Sequence, residues 1–126
     1  MNSARILIVE DERIVQLDLE TRLKRIGHLV VGVTSRGDEA IARARELKPD
    51  LVIMDVRLEG AMDGIEAARQ IRAEQGTPVI YVTAYAAALQ DASPQDVIGP
   101  CVSKPFSTAE QRSAIATTLA ARKPEF

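Results

Sequence analysis

The feature that most constrains the fold of this chain is a run of four apolar residues, 51–54, that ends directly in Asp55. An extended segment with apolar side chains on both faces must be covered on both sides, which is typical of a central strand in a parallel sheet. In open α/β sheets, ligands bind beyond the carboxyl ends of such strands. Asp55 is therefore a candidate functional residue, although the same carboxylate could also cap the next segment.

A second short apolar run, 6–9, also ends in acidic residues, Glu10 and Asp11. Two acidic strand ends in one chain favour a shared functional edge over simple capping. The other strands that we predict from apolar runs are 29–33, 78–82 and 101–103.

Helical spacing of apolar residues follows each of the first three predicted strands. The apolar residues with this spacing lie within 15–26, 40–47 and 65–71, one range for each predicted helix. We expect the second helix to begin with a capping pattern at Ser35, and the third with Asp63 and Glu66. Further helices are predicted over 85–92 and from Ser107 onward, where Ser107 and Glu110 form a capping box.

Strands that alternate with helices at this spacing predict an α/β fold, a doubly wound three-layer sandwich on a five-stranded parallel sheet. The strand order 2-1-3-4-5 is taken over from known sheets of this flavodoxin-like type, in which it places the first and third strands side by side. Glu10, Asp11 and Asp55 would then meet at one edge. With 126 residues and no linker-like stretch, we expect residues 1–126 to be a single domain.

Composition excludes several classes of function. The 16 Lys and Arg residues against 18 Asp and Glu give a net charge of −2 with no basic block, which argues against direct binding to nucleic acid or to an anionic membrane. Without an apolar segment of spanning length or a leader pattern, we expect a cytoplasmic protein. The sequence has one cysteine and one histidine, too few for a Cys/His metal cluster. Any bound metal ion would therefore have oxygen ligands.

Three neighbouring carboxylates repel one another unless a cation lies between them, and oxygen donors suit Mg²⁺. The remaining strand ends add a hydroxyl group, Thr83, and a positive charge, Lys104. A carboxylate nucleophile, a divalent metal ion, a lysine and a hydroxyl group together favour phosphoryl-transfer chemistry.

Five sequence motifs together resemble one family. Residues 6–11 (ILIVED), 52–55 (VIMD), 62–67 (MDGIEA), 82–84 (VTA) and 104–106 (KPF) closely resemble, in this order, the receiver domain of two-component response regulators. The resemblance covers nearly the whole chain.

That resemblance implies a role for the acidic residues. Asp55 would accept a phosphoryl group from a histidine kinase or a histidine phosphotransfer protein. Glu10 and Asp11 would hold Mg²⁺ together with Asp55 and the backbone carbonyl of Arg57.

The resemblance also implies that Thr83, Ala84 and Lys104 contact the phosphoryl group. The peptide bond between Lys104 and Pro105 would be cis, an isomer that costs little before proline. The residue Tyr85 stands where the family tunes the access of water to the acyl phosphate.

One departure from the family concerns signal output. The position three residues before the family's lysine usually holds Tyr or Phe, whose ring moves on activation, but here it is Cys101. We therefore expect the response to phosphorylation to fall on the segment 85–100, which is poor in large apolar residues.

Three classes of function are compatible with the sequence. The first is a phosphorylation-switched signalling module, not an enzyme with a separate substrate, that acts on a downstream protein. The second is an aspartyl-nucleophile phosphatase, which would want an Asp two residues after the nucleophile, where this chain has Arg57. The third is a pseudo-receiver that serves as a protein-binding adaptor without being phosphorylated.

Overall fold

The structure is a computed structural model that describes residues 3–58, 60–83, 101–103, 113–116 and 118, with only the backbone described at 83 and 101–103. The strands are β1 (Arg5–Val9), β2 (Leu29–Thr34), β3 (Leu51–Met54), β4 (Val79–Thr83) and β5 (Cys101–Ser103). The helices are α1 (Arg13–Arg25), α2 (Gly37–Leu47) and α3 (Gly64–Gln75), and residues 113–116 and 118 are also helical. The helix predicted over 85–92 and the predicted helix start at Ser107 lie outside the described residues.

All five strands pair in parallel, in the order β2-β1-β3-β4-β5. The predicted doubly wound sheet and its strand order are therefore confirmed. β3 lies at the centre with all four residues buried, as the apolar run predicted. Val9 of β1 pairs with Met54 of β3, so the next residues, Glu10 and Asp55, leave the two strands side by side.

Side chains of alternate strand residues pack into two hydrophobic clusters, one on each face of the sheet. One cluster includes Leu19 and Leu23 of α1 together with Ile115. The other includes Ile41 of α2 and Ile71 of α3. The sheet is therefore covered on both faces, which explains why β3 could be apolar throughout. No helix within the described ranges is long and apolar enough to cross a membrane.

The start of α3 agrees with the predicted cap, whereas that of α2 does not. The Asp63 side chain accepts a hydrogen bond from the Glu66 N–H, as the motif predicted. For α2 the residue in the capping position is Arg36, and no side chain caps the helix there, so the prediction for Ser35 was wrong. The acceptor is supplied from inside the first turn, since Asp38 accepts from the Glu39 N–H.

The strand β2 forms one edge of the sheet and pairs irregularly with β1. Ile6 pairs with Val30 but Leu7 pairs with Gly32, so the register skips Val31. A Cβ atom at Gly32 would lie 2.9 Å from Cδ1 of Leu47, the last residue of α2. Glycine at this position therefore lets the end of α2 pack closely on the sheet.

Candidate functional site

Three carboxylates meet at the carboxyl ends of β1 and β3. One oxygen from each of Glu10, Asp11 and Asp55 lies within 4.8 Å of the other two. Glu10 and Asp55 are buried, with 1% and 6% of their surface exposed, and Asp11 is half-buried. The structure thus brings together the three acidic residues that the sequence placed at one edge of the sheet. We call them the acidic cluster.

Sheet hydrogen bonds fix the backbone from which two of these side chains project. The Asp55 N–H donates to the Val9 carbonyl at 2.9 Å, and the Glu10 N–H donates to the Thr34 carbonyl at 2.9 Å. Both residues therefore continue the sheet pairing one step beyond their strands. Their carboxylates therefore project from backbone that is hydrogen-bonded to the sheet.

The chain turns back tightly against Asp55 where α3 begins. A Cβ atom at Gly64 would lie 1.8 Å from the Asp55 carbonyl oxygen, so this path of the backbone admits only glycine. The Gly64 N–H donates to the Val56 carbonyl at 2.7 Å and closes the turn. Arg57, the predicted carbonyl ligand of the metal ion, lies within this turn and is exposed.

The loop between β3 and α3 is also held by the start of α2. The Arg36 guanidinium packs over Gly60, where a Cβ atom would lie 3.1 Å from its Cζ. The Arg36 side chain also donates to Asp38, and this hydrogen bond holds the pKa of the Asp38 carboxyl below its usual value. The exposed Asp38 carboxylate thus contacts the same guanidinium that packs over the loop.

The other predicted site residues belong to β4, to β5 and to the chain beyond each of these strands. Thr83 is the last residue of β4 and pairs with Ser103, the last residue of β5. Cys101 begins β5 and pairs with the buried Tyr81. The residues that remain predictions because they lie outside the described ranges are Ala84, Tyr85, Lys104 and Pro105.

The sequence did not lead us to predict that Gln16 of α1 contacts the site. Its side chain is buried, with 8% of its surface exposed, and its Nε2 donates to the Glu10 carbonyl at 2.5 Å. A signal was present, since Gln16 stands three residues before Leu19 and seven before Leu23, on the buried stripe of the helix. A polar residue at such a position requires a hydrogen-bond partner.

Two exposed apolar residues near the acidic cluster were also missed. Ile14 is 82% exposed and Leu17 is 46% exposed, and both lie in the first half of α1. Their spacing of three residues puts them on one face of the helix. That face differs from the stripe of Leu19 and Leu23, which is buried against the sheet.

The acidic cluster fits a hard divalent cation. Negative charges this close raise one another's energy, and the burial of Glu10 and Asp55 adds a desolvation cost. A cation among them removes both penalties. Carboxylate oxygens, with further positions left to a backbone carbonyl and to water, are the donor set that Mg²⁺ prefers.

Comparison with known proteins points to one family. A family model for the response regulator receiver domain matches residues 6–116. The phyllosphere-induced regulator PhyR of Methylorubrum extorquens is 34% identical over 116 residues, which cover 90% of this chain and 43% of PhyR. The chain spans about two-fifths of the length of the curated relatives that it matches first.

Solved structures of receiver domains superpose closely on this fold. The receiver domain of PhyR from Erythrobacter litoralis, solved by NMR in solution, has a TM-score of 0.90 and 29% identity, over 100% of this chain and 97% of that one. The receiver domain of a sensor histidine kinase from Pseudomonas aeruginosa PAO1 has a TM-score of 0.85 and 31% identity, over 95% of this chain and 100% of that one. That crystal structure holds a magnesium ion in the active-site cleft. Because the family model covers most of the sequence, this chain belongs to the response regulator receiver domain family.

Proposed function

We propose that Asp55 accepts a phosphoryl group from a histidine kinase or a histidine phosphotransfer protein, in a reaction that needs Mg²⁺. The observation that carries this proposal is the acidic cluster, three carboxylates within 4.8 Å at adjacent strand ends of a receiver domain. The phosphorylated chain would then signal through altered contacts with a downstream protein in the cytoplasm.

The chemistry suits a carboxylate held by the sheet. An oxygen of Asp55 forms a bond to phosphorus while the bond from phosphorus to the donor's imidazole nitrogen breaks. The imidazole keeps the electron pair and takes up a proton, and Asp55 becomes an acyl phosphate. Because Asp55 is only 6% exposed and its backbone continues the sheet, the attacking oxygen loses little freedom on reaching the transition state.

The surrounding residues would neutralise charge on the transferred group. Glu10, Asp11, Asp55 and the Arg57 carbonyl would hold Mg²⁺, which offsets negative charge on phosphoryl oxygens when it is bound. On the other side of Asp55, the residues that we propose for contacts to the phosphoryl group are Thr83, Ala84 and Lys104.

The exposed face of α1 supports a protein donor. Ile14 and Leu17 expose apolar side chains to water only a few residues after Asp11. Exposed apolar area of this kind beside a reactive group is typical of a protein contact site. A donor protein seated on this face would bring its phosphohistidine to the carboxyl edge of the sheet, where Asp55 lies.

The proposal is tested by incubating the chain with acetyl phosphate and Mg²⁺ and measuring its intact mass. We expect one phosphoryl adduct that hydroxylamine removes, since an acyl phosphate reacts with this nucleophile and a phosphate ester does not. Asp55→Asn should give no adduct. An adduct that survives in Asp55→Asn, or one that forms equally well with a metal chelator present, would contradict the assignment.

The same experiment separates the other classes of function. Rapid turnover of unrelated phosphate esters would indicate a phosphatase, although Arg57 stands where such an enzyme wants a second carboxyl group. A folded chain that never forms an adduct would indicate a pseudo-receiver that acts as an adaptor.

A further inference from the structure

Gln16 connects the body of α1 to the acidic cluster. Its backbone N–H donates to the Glu12 carbonyl at 2.9 Å and so belongs to the first turn of the helix. Its side-chain Nε2 reaches back and donates to the Glu10 carbonyl at 2.5 Å. Since Gln16 is buried, water does not compete freely for this hydrogen bond.

The orientation of the Gln16 amide follows from its two partners. The Glu10 carbonyl can only accept a hydrogen bond, and the Arg13 guanidinium can only donate one. The structure accordingly places Nε2 on Glu10 and Oε1 on Nη1 of Arg13, at 3.3 Å. A side chain with a donor on one end and an acceptor on the other is required here, which a carboxylate or an ammonium group would not supply.

The peptide group that joins Glu10 to Asp11 is held at both ends. Its carbonyl oxygen accepts from Gln16, and its N–H, that of Asp11, donates to Oε2 of Glu10 at 3.1 Å. A change in the Glu10 ψ angle, which sets the orientation of this peptide group, would turn the Asp11 N–H away from the Glu10 carboxylate and displace the Cα of Asp11. The two carboxylates therefore depend on one peptide orientation, and Gln16 is the side chain that contacts its carbonyl.

We infer that Gln16 is a positioning residue for the cation site, because its amide fixes the Glu10–Asp11 peptide and thereby the spacing of these two carboxylates. The inference deepens the proposed function and rests on Mg²⁺ binding at the acidic cluster. Gln16 itself would not contact the metal ion or the phosphoryl group. Its effect would appear in the affinity of the site rather than in the reaction of Asp55.

The test compares Mg²⁺ binding by the full chain and by two matched variants, using isothermal titration calorimetry. Gln16→Met removes the donor while it keeps a side chain of similar length and good helix propensity. Gln70→Met is the control, since the Gln70 amide donates to Glu66 on α3 and contacts none of the three clustered carboxylates. Loss of such a supporting contact typically weakens metal binding by about 10-fold to 100-fold, and we expect about 10-fold for Gln16→Met.

If Gln16 had a purely structural role, Gln16→Met would leave the Mg²⁺ affinity of the folded chain unchanged. Raising the Mg²⁺ concentration should increase the phosphorylation of Gln16→Met by acetyl phosphate over a higher concentration range than in wild type, because its affinity for Mg²⁺ is lower. Equal Mg²⁺ affinity in wild type and Gln16→Met would overturn the inference and leave the proposed function intact. If the wild-type chain binds no Mg²⁺, both the proposed function and the inference fail.

A second measurement needs no variant and decides the matter if Gln16→Met does not fold. In NMR spectra of the wild-type chain, the side-chain amide signals of Gln16 should shift during a Mg²⁺ titration with the midpoint found by calorimetry. Those of Gln70 should stay in place. Gln16 signals that do not respond to Mg²⁺ would overturn the inference.

Discussion

The two edges of the sheet differ in the charged side chains that they bring together. At the amino edge, where the strands begin, polar and charged groups of opposite character meet within the chain. The Arg5 N–H donates to Asp50 at 2.9 Å, and the Arg5 guanidinium donates to the Lys48 carbonyl at 3.0 Å. The Ala4 N–H likewise donates to Nδ1 of His28 at 3.0 Å.

At the carboxyl edge, groups of the same charge are gathered instead. Glu10, Asp11 and Asp55 lie together although two of them are buried. Folding alone gives no reason to collect like charges, since each raises the energy of the others. The described contacts at the amino edge therefore stabilise the fold, whereas the acidic cluster at the carboxyl edge fits a divalent cation.

The largest effect that we expect comes from the backbone contact behind Asp55. Gly64→Ala should lower the free energy of unfolding by about 3 kcal/mol, because its Cβ must push the Asp55 carbonyl aside. Gly76→Ala is the control, since Gly76 has a positive φ but nothing within 4 Å of its Cβ position. It should cost only about 1 kcal/mol, from the left-handed backbone. Equal losses for the two variants in urea unfolding would contradict the tight packing at this edge.

We expect a smaller change in the free energy of unfolding when one charge is removed from each edge, and this change compares the two edges directly. In the presence of a metal chelator, Asp55→Asn should raise the free energy of unfolding by about 1 kcal/mol, because it relieves repulsion within the acidic cluster. Asp50→Asn should lower it by about 1 kcal/mol, because the Arg5 N–H then donates to a neutral group.

Addition of Mg²⁺ extends this comparison. It should stabilise wild type and Asp50→Asn but not Asp55→Asn, since a ligand stabilises only the state that binds it. Urea unfolding with and without Mg²⁺ gives the free energy of unfolding of all three proteins. If Asp55→Asn proves less stable than wild type in chelator, the acidic cluster is not a source of repulsion and the contrast between the edges fails.

The smallest effect concerns His28 and the pH. Burial lowers the pKa of His28 below its ordinary value of 6.5, so the folded chain binds this proton less readily than the unfolded chain. Its stabilising hydrogen bond to Ala4 is thus fully present above pH 6.5 and is lost as the pH falls through the lower pKa of the folded state.

We expect a loss below about 1 kcal/mol, the size of one neutral hydrogen bond. It is measured as the difference in unfolding free energy between wild type and His28→Gln across this pH range. Gln can also accept from the Ala4 N–H but does not titrate, so the other ionisable groups cancel in the comparison. A difference that does not change with pH would exclude His28 as the titrating group.

The central strands β1 and β3 were predictable because burial on both faces requires a run of apolar residues. The bounds of all five strands agree with the predicted ones within one residue. Asp55 and Glu10 could be assigned to one edge because they stand immediately after such strands. Their convergence needed only the strand order, which was taken over from known folds and which the structure confirms.

The contacts that depend on the path of the backbone were not predictable. Ser35 was expected to cap α2 from residue type alone, but the chain there is extended through Arg36, and Asp38 supplies the acceptor. Gln16 and His28 looked like ordinary polar residues because each has a backbone partner, the Glu10 carbonyl and the Ala4 N–H, and backbone groups carry no residue-specific signal. The roles of Thr83 and Lys104 stay predictions from the family motif.

The skipped residue in β2 bears on how the chain behaves at high concentration. An edge strand offers its outer N–H and C=O groups to any other extended chain, and β2 contains no charged residue and leaves Leu29 55% exposed. Because the register skips Val31, the spacing of those outer groups is broken in the middle of the strand. A regular incoming strand can match one half of β2 but not both, so we expect this irregularity to disfavour pairing with other chains at this edge.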